Sequence, residues 1–198
     1  MNIVFDLGGV VFTWQPDKII KSVFKEEEEI NNVRKEIFGH PDWSELDRGI
    51  LSVDEVIERG ALRTKLSRQD ISKLMHQVPY FLTPISDTFK LIYFVKKCSN
   101  KIFVLSNMHS ASIEHLEKKY SILDIFNGKV ISCKINMVKP EPEIYKYLLD
   151  KYQLIANETV FIDDTDKNLT AASMFGMKTI KFADPHQCKC ELKQLGII

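Results

Sequence analysis

Between Pro16 and Val78 the apolar residues recur at helical spacing: Ile19, Ile20, Val23 and Phe24, then Ile30, Val33, Ile37 and Phe38, then Val53, Val56 and Ile57, then Ile71, Leu74, Met75 and Val78. That period predicts a block of amphipathic helices. From Thr83 onward the pattern changes to short β-type runs, "KIFVLS" from Lys101, "GKVISC" from Gly128, "TVFID" from Thr159 and "MKTIKF" from Met177, separated by amphipathic helices. The opening run "NIVFDL" is of the same kind. Strands that alternate with helices need crossover connections, which predicts an α/β fold with a parallel sheet covered on both faces. The helical block then reads as an insertion after the first strand. The expected division is a sheet core of residues 1–14 and 84–198 with an all-helical cap over 15–83.

Local signals refine this outline. Ser52 to Glu55 and Ser67 to Asp70 have the spacing of helix-start caps, and Gly176 is placed to close the helix that begins near Asp166. The run Lys25 to Glu29 reads as a solvated helix face. "DWSELDRG", Asp42 to Gly49, reads as a polar, aromatic loop between cap helices, either facing a substrate or forming a simple turn. No internal repeat or low-complexity stretch stands out.

Composition narrows the class of partner. A chain of 198 residues builds its own core without disulfide staples. Its 27 Lys and Arg balance 27 Asp and Glu, so no net field draws it to nucleic acid or to an anionic membrane. No stretch approaches the roughly 18 apolar residues that cross a bilayer. The N-terminus has no basic leader, and Asp6 interrupts its apolar run, so a secretory signal is not expected. The four cysteines (Cys98, Cys133, Cys188 and Cys190) form no dense framework, which predicts reduced thiols and a cytoplasmic protein. "HQCKC", His186 to Cys190, offers either a soft-metal site lacking its fourth ligand or a surface tail.

Candidate chemistry lies at the strand ends. Asp6 follows the first strand, Ser106 and Asn107 the second, Lys139 the loop after the third, and Asp163 and Asp164 the fourth. In an open parallel sheet the carboxyl ends share one edge, where ligands bind. Three carboxylates gathered there repel one another unless a hard cation joins them, and no His or Cys stands at these ends, which favours Mg²⁺ over Zn²⁺. Mg²⁺, a lysine and hydrogen-bond donors make a cradle for a phosphoryl group. Each piece also has an ordinary reading: Gly8 and Gly9 as a hairpin turn, Ser106 as a cap, Lys139 as a surface lysine, the acidic pair as a helix start.

Four motifs, "FDLGGVVF", "VLSN", "KPEPEIY" and "VFIDDTDKN", in this order, closely resemble the signatures of the haloacid dehalogenase-like (HAD) hydrolase superfamily. The likeness is nearest to members with a helical cap after the first motif, such as the alpha-glucose-1-phosphate phosphatases and the N-terminal phosphatase domain of soluble epoxide hydrolase. It implies a Rossmann-like core and transfer of a phosphoryl group to Asp6. It also implies Mg²⁺ held by Asp6, the Gly8 carbonyl and Asp164, with Asp163 supporting or sharing the ion. Ser106, Asn107 and Lys139 would hold the phosphate of a small phosphorylated metabolite such as a sugar phosphate.

One position departs from the usual pattern. Most phosphatases of the superfamily carry a second aspartate two residues after the nucleophile, which protonates the leaving alcohol; here Gly8 keeps the carbonyl and loses the acid. Three outcomes stay open: a cap side chain or His109 replaces it, the substrate has an easily expelled group, or the protein is a slow or non-catalytic phosphate-binding relative. His109 is otherwise a rim or capping residue. Haloacid dehalogenation is the other enzymatic alternative, and the acidic pair Asp163 and Asp164 argues against it.

Overall fold

The computed structural model describes residues 1–98 and 100–198. Five strands, β1 (Asn2–Phe5), β2 (Lys101–Ser106), β3 (Gly128–Ile131), β4 (Thr159–Asp163) and β5 (Lys178–Lys181), form one sheet in the order β3-β2-β1-β4-β5. All pairs are parallel, and Phe5 at the end of β1 stands opposite Val104 and Ile162.

Residue alternation distributes the strand side chains to two apolar layers. Ile3, Phe5, Val104 and Ile162 face one way, against helices α6 (Ser86–Lys97), α7 (Ser110–Lys119) and α10 (Pro185–Gln194) through residues such as Ile92, Ile113 and Leu192. Val4, Phe103, Leu105 and Phe161 face the other, against α8 (Pro142–Tyr152) and α9 (Asp166–Ser173) through Ile144, Tyr145 and Leu169. β1 is therefore buried on both faces, which accounts for its unbroken apolar sequence.

Between β1 and β2 come α1 (Pro16–Val23), α2 (Glu27–Val33), a π-helical turn at Arg34–Phe38, α3 (Pro41–Arg48), α4 (Val53–Thr64) and α5 (Arg68–Phe81). Their apolar stripes close on one another in a cluster of their own, including Ile19, Ile20, Val33, Ile37, Val56, Ile57, Ile71 and Leu74. Ser52 forms a full capping box with Glu55, and the Ser67 hydroxyl accepts the Asp70 amide. Gly176 has φ +82°, the left-handed conformation that ends α9's last turn without strain.

Two expectations need correction. The segment from Asp42 is a helix, α3, and not a loop: His40 caps its start through Nδ1, Pro41 occupies the first turn, and Gly49 closes it with φ 81°. Only Trp43 and Leu46 carry its apolar period, too few to announce a helix. The "HQCKC" segment is α10 and not a tail; Cys188 is fully buried in the core, and no His or Cys cluster gathers there among the described residues. No helix among the described residues is long and apolar enough to cross a membrane.

Candidate active site

Asp6 is held at the sheet edge by its own backbone. Its amide donates to the Ile162 carbonyl at 2.9 Å, which extends the ladder one residue beyond β1, and its Oδ1 accepts the Leu7 amide at 2.7 Å. The chain then curls tightly: the Leu7 carbonyl accepts the amides of Val10, Val11 and Phe12, and the Gly9 amide donates to the Phe12 carbonyl at 2.8 Å. The two glycines differ in kind. Gly9 has φ +76° and a β-carbon on it would overlap the Asp164 carboxylate, so only glycine fits. A β-carbon on Gly8 would meet nothing nearer than the Trp14 β-carbon at 3.9 Å.

Lys139 is the buried cation of the site. Its Nζ lies 2.9 Å from Asp6 Oδ2 and 2.6 Å from Asp163 Oδ2. The Asn107 side chain fixes the lysine's backbone reciprocally, donating to the Lys139 carbonyl at 2.9 Å and accepting its amide at 2.8 Å. Asp163 is saturated: besides Lys139 it accepts the Thr165 amide at 2.8 Å and the Asn168 side-chain amide at 3.1 Å on both oxygens. Burial opposes charge on Lys139, yet Asp6 and Asp163 together outweigh it and hold the ammonium pKa above its usual value.

The balance of charge at this edge is acidic. One carboxylate oxygen from each of Asp6, Asp163 and Asp164 lies within 4.8 Å of the others. Burial, reinforced by the charge of Asp163 and opposed by Lys139, pushes Asp6 up to about 7. Asp164, half-buried, is also raised, by burial and then by Asp163. Carboxylates that resist ionisation in the protein alone are those an added cation would relieve. The Ser106 hydroxyl, fully buried, lies close enough to Asp6 to favour its charge but makes no hydrogen bond of ordinary geometry. An all-oxygen donor set with an unpaired hydroxyl at its edge fits a hard divalent ion and a tetrahedral oxyanion.

A cavity of about 440 Å³ opens over these groups, lined by Asp6, Gly8, Asn107, Lys139 and Asp164 from the sheet edge and by residues of the helical insertion. Trp14, Phe38 and Trp43 form a continuous aromatic wall, with ring centroids 5.6 Å apart for Trp14 and Trp43 and 4.6 Å for Phe38 and Trp43. His109 also lines the cavity. Its Nε2 pairs with the Ser112 hydroxyl at 2.9 Å, its ring meets Trp43 edge-on at 6.0 Å, and burial pushes its pKa down to about 4, so it is neutral at physiological pH.

The fold thus brings Asp6, Lys139, Asp163 and Asp164 into one cluster, with Gly8, Ser106, Asn107 and His109 around it. Sequence reading gave no role of their own to Asn168, which ends the fourth motif and helps to saturate Asp163, or to Asp47, a half-buried carboxylate of the Asp42–Gly49 segment that lines the same cavity. The spacing of Asn168 from Asp163 was a visible signal, since a residue in the first turn of a helix reaches back over the strand end before it. Burial, assisted by the charge on Asp6, lifts Asp47 to about 7.

A parallel sheet of this order, with an acidic cluster at its carboxyl edge and a helical insertion after the first strand, defines a Rossmann-like hydrolase with a helical cap. The chain belongs to the haloacid dehalogenase-like hydrolase family, whose model matches residues 3–182. It is 27% identical over 192 residues, 97% of this chain and 94% of the other, to the sesquiterpene phosphatase astK of Aspergillus oryzae. It is 26% identical to a D-ribitol-5-phosphate phosphatase of Bacteroides thetaiotaomicron, over 91% of this chain and 90% of that one. The fold matches a HAD family enzyme of Bacteroides thetaiotaomicron solved in complex with magnesium and inorganic phosphate, with TM-score 0.72, 21% identity, and coverage of 90% of this chain and 92% of that one.

Proposed function

We propose that the protein is a Mg²⁺-dependent phosphatase that cleaves a small organic phosphate monoester through an aspartyl-phosphate on Asp6. The observation that carries this reading is the buried array in which Lys139 Nζ stands 2.9 Å from Asp6 and 2.6 Å from Asp163, beside Asp164. Two relatives spanning nearly the whole chain are phosphatases, which supports the same reading.

Asp6 and Asp164, with the Gly8 carbonyl, would hold the ion; when bound, Mg²⁺ supplies positive charge to the phosphoryl oxygens and makes phosphorus more electrophilic. Asp163 has its lone pairs occupied by four hydrogen bonds from three donors and instead fixes Lys139. Lys139 keeps Asp6 ionised and aimed, and neutralises charge on the transferring group. The free Ser106 hydroxyl donates to a phosphate oxygen, and Asn107 sets the lysine's position through its backbone. Asp6 attacks phosphorus, the ester oxygen leaves, and water then releases phosphate from Asp6. Residues 15–83 act as the cap that chooses the substrate, its carbon skeleton resting on Trp14, Phe38 and Trp43. That wall accepts the apolar face of a sugar phosphate or a terpenoid phosphate alike, and a panel of both ranks them.

The test is phosphate release from p-nitrophenyl phosphate with and without Mg²⁺. Activity is expected to require the metal and to vanish in Asp6→Asn. Turnover that survives EDTA, or that persists in Asp6→Asn, rejects the reading. Chloride release from 2-chloropropionate, expected to be absent, separates it from dehalogenation.

A further inference from the structure

Gly8 leaves the leaving alcohol without a proton donor from the loop after β1, although the backbone there has room for a side chain. The cavity holds few groups able to supply that proton. His109 is neutral, with a pKa of about 4 set by burial, and its Nε2 is paired to Ser112. His40 Nδ1 accepts the Asp42 amide at 3.1 Å, which ties its ring to the start of α3. Lys139 is committed to Asp6 and Asp163. Asp164 belongs to the acidic cluster on the side of Gly9.

One carboxylate remains. Asp47 sits near the C-terminus of α3, and that end of the helix is fastened to the sheet core by several independent contacts. The Ser132 hydroxyl donates to the Asp47 carbonyl and accepts the Met108 amide at 2.9 Å. Asn136 donates to the Arg48 carbonyl at 3.0 Å, and Arg48 grips Glu141 with both terminal nitrogens, at 2.7 and 2.5 Å. A β-carbon on Gly49 would come within 2.8 Å of the Cys133 carbonyl, so the two backbones meet directly. This end of the cap is therefore part of the site's rigid frame, and it carries the Asp47 side chain into the cavity that Asp6 and Lys139 line.

We propose that Asp47 is the general acid and base of the reaction, taking the role that Gly8 vacates; this rests on the phosphatase reading above. An Asp6 oxygen forms a bond to phosphorus and the phosphorus–ester oxygen bond breaks, its electron pair taken by the alcohol oxygen, which receives the proton of the Asp47 carboxyl. Water then attacks the phosphorus of the aspartyl-phosphate and passes a proton to the Asp47 carboxylate. The bond to Asp6 breaks, its electron pair returns to the carboxylate, and phosphate leaves. Both the alcohol and the starting protonation state are recovered.

The groups facing Asp47 suit it to hold a proton near neutrality. Burial and the Asp6 charge favour its protonated form, while the His109 backbone N–H, Lys139 and the Trp43 indole oppose them, leaving a value of about 7. A general acid poised near the working pH is the most effective kind.

The experiment measures single-turnover alcohol release from an alkyl phosphate and from p-nitrophenyl phosphate, for the wild type, Asp47→Asn and Gly8→Asp/Asp47→Asn, all with Mg²⁺. General acid catalysis contributes about 10² to 10⁴-fold, so Asp47→Asn is expected to slow alkyl cleavage by that factor and p-nitrophenol release by under about tenfold, because a good leaving group has little need of the proton. Gly8→Asp is expected to restore alkyl cleavage in the double variant. Equal losses on both substrates, or no loss, overturn the role of Asp47 while the phosphatase reading stands. A wild type that releases neither alcohol overturns both. Thermal melting of each variant separates misfolding from chemistry, and rescue in the double variant answers the question even where Asp47→Asn is destabilised.

Discussion

Gly9 and Asp164 lie so close that a single added β-carbon on the glycine would occupy the space of the Asp164 carboxylate. The positive φ of Gly9 lets the loop after β1 turn its backbone toward the end of β4, joining two motifs more than 150 residues apart in the chain. The adjoining Gly8 has no such constraint. The pair that looks like a turn signal is therefore one obligatory glycine beside one whose missing side chain is a chemical choice.

That difference is measurable. Gly9→Ala is expected to cost about 1–3 kcal/mol of stability from backbone strain and to displace Asp164, weakening Mg²⁺ binding at least tenfold by calorimetric titration. Gly8→Ala is expected to change unfolding free energy by less than about 1 kcal/mol in urea melts, since the added methyl meets only an ordinary contact, the Trp14 β-carbon at 3.9 Å. Equal destabilisation by both would contradict the geometry.

Lys139 offers the strongest electrostatic test. It neutralises two carboxylates from inside the protein, so Lys139→Met leaves the charges of Asp6 and Asp163 facing each other with no cation between them. Removing one partner of a buried pair typically costs about 3–5 kcal/mol. The loss is expected to be smaller at pH 5 than at pH 8, because protonation of Asp6, already raised to about 7, relieves the repulsion. Denaturant melts at the two pH values check this; a pH-independent loss would mean the pair carries little charge–charge energy.

Much of this architecture was legible in the sequence, for a physical reason. β1, β2 and β4 are buried on both faces, and their apolar runs stop where polar chemistry begins, so the strand ends mark the site. Helix α3 was not legible because Trp43 and Leu46 alone supply its apolar period, while polar caps at His40 and Gly49 do the rest. Asp47 was harder still. Its neighbour Trp43, four residues earlier, shares its helix face, but what turns that face into the cavity is contact with Ser132, Asn136 and Glu141, some 85 to 93 positions distant. Chemistry carried by strand ends reads directly from pattern, whereas chemistry carried by the cap depends on how two layers with their own apolar clusters dock.

The docking itself is open to a double-mutant cycle. Arg48 and Glu141 form a two-pronged pair across the cap and core, and both side chains keep some contact with solvent, at 21% and 39% relative exposure. Such pairs are typically worth about 0.2–1 kcal/mol, so Arg48→Ala and Glu141→Ala are expected to couple by no more than about 1 kcal/mol in urea melts. The kinetic effect is expected to exceed the stability effect, because Arg48 adjoins Asp47. Loss of the pair should lower kcat for alkyl phosphates more than it raises KM.

The pH dependence of Asp47 has a sign that follows from linkage. Its pKa in the folded protein, about 7, lies above the ordinary 3.8, so between those values the folded state binds a proton that the unfolded state has lost. The stability this contributes is largest at low pH and falls as pH rises to and through 7, where the half-buried side chain must ionise. Asp47→Asn removes the ionisation and leaves a side chain of the same shape that still accepts from the His109 amide. The variant is therefore expected to gain on the wild type between pH 5 and pH 8, by on the order of 2–3 kcal/mol, since about two pH units of that interval lie below the folded pKa at roughly 1.36 kcal/mol each. Chemical denaturation of the metal-free protein at both pH values measures it. A constant difference between variant and wild type would place the Asp47 proton outside this range, and would remove the reason that it is available to a departing alkoxide at neutral pH.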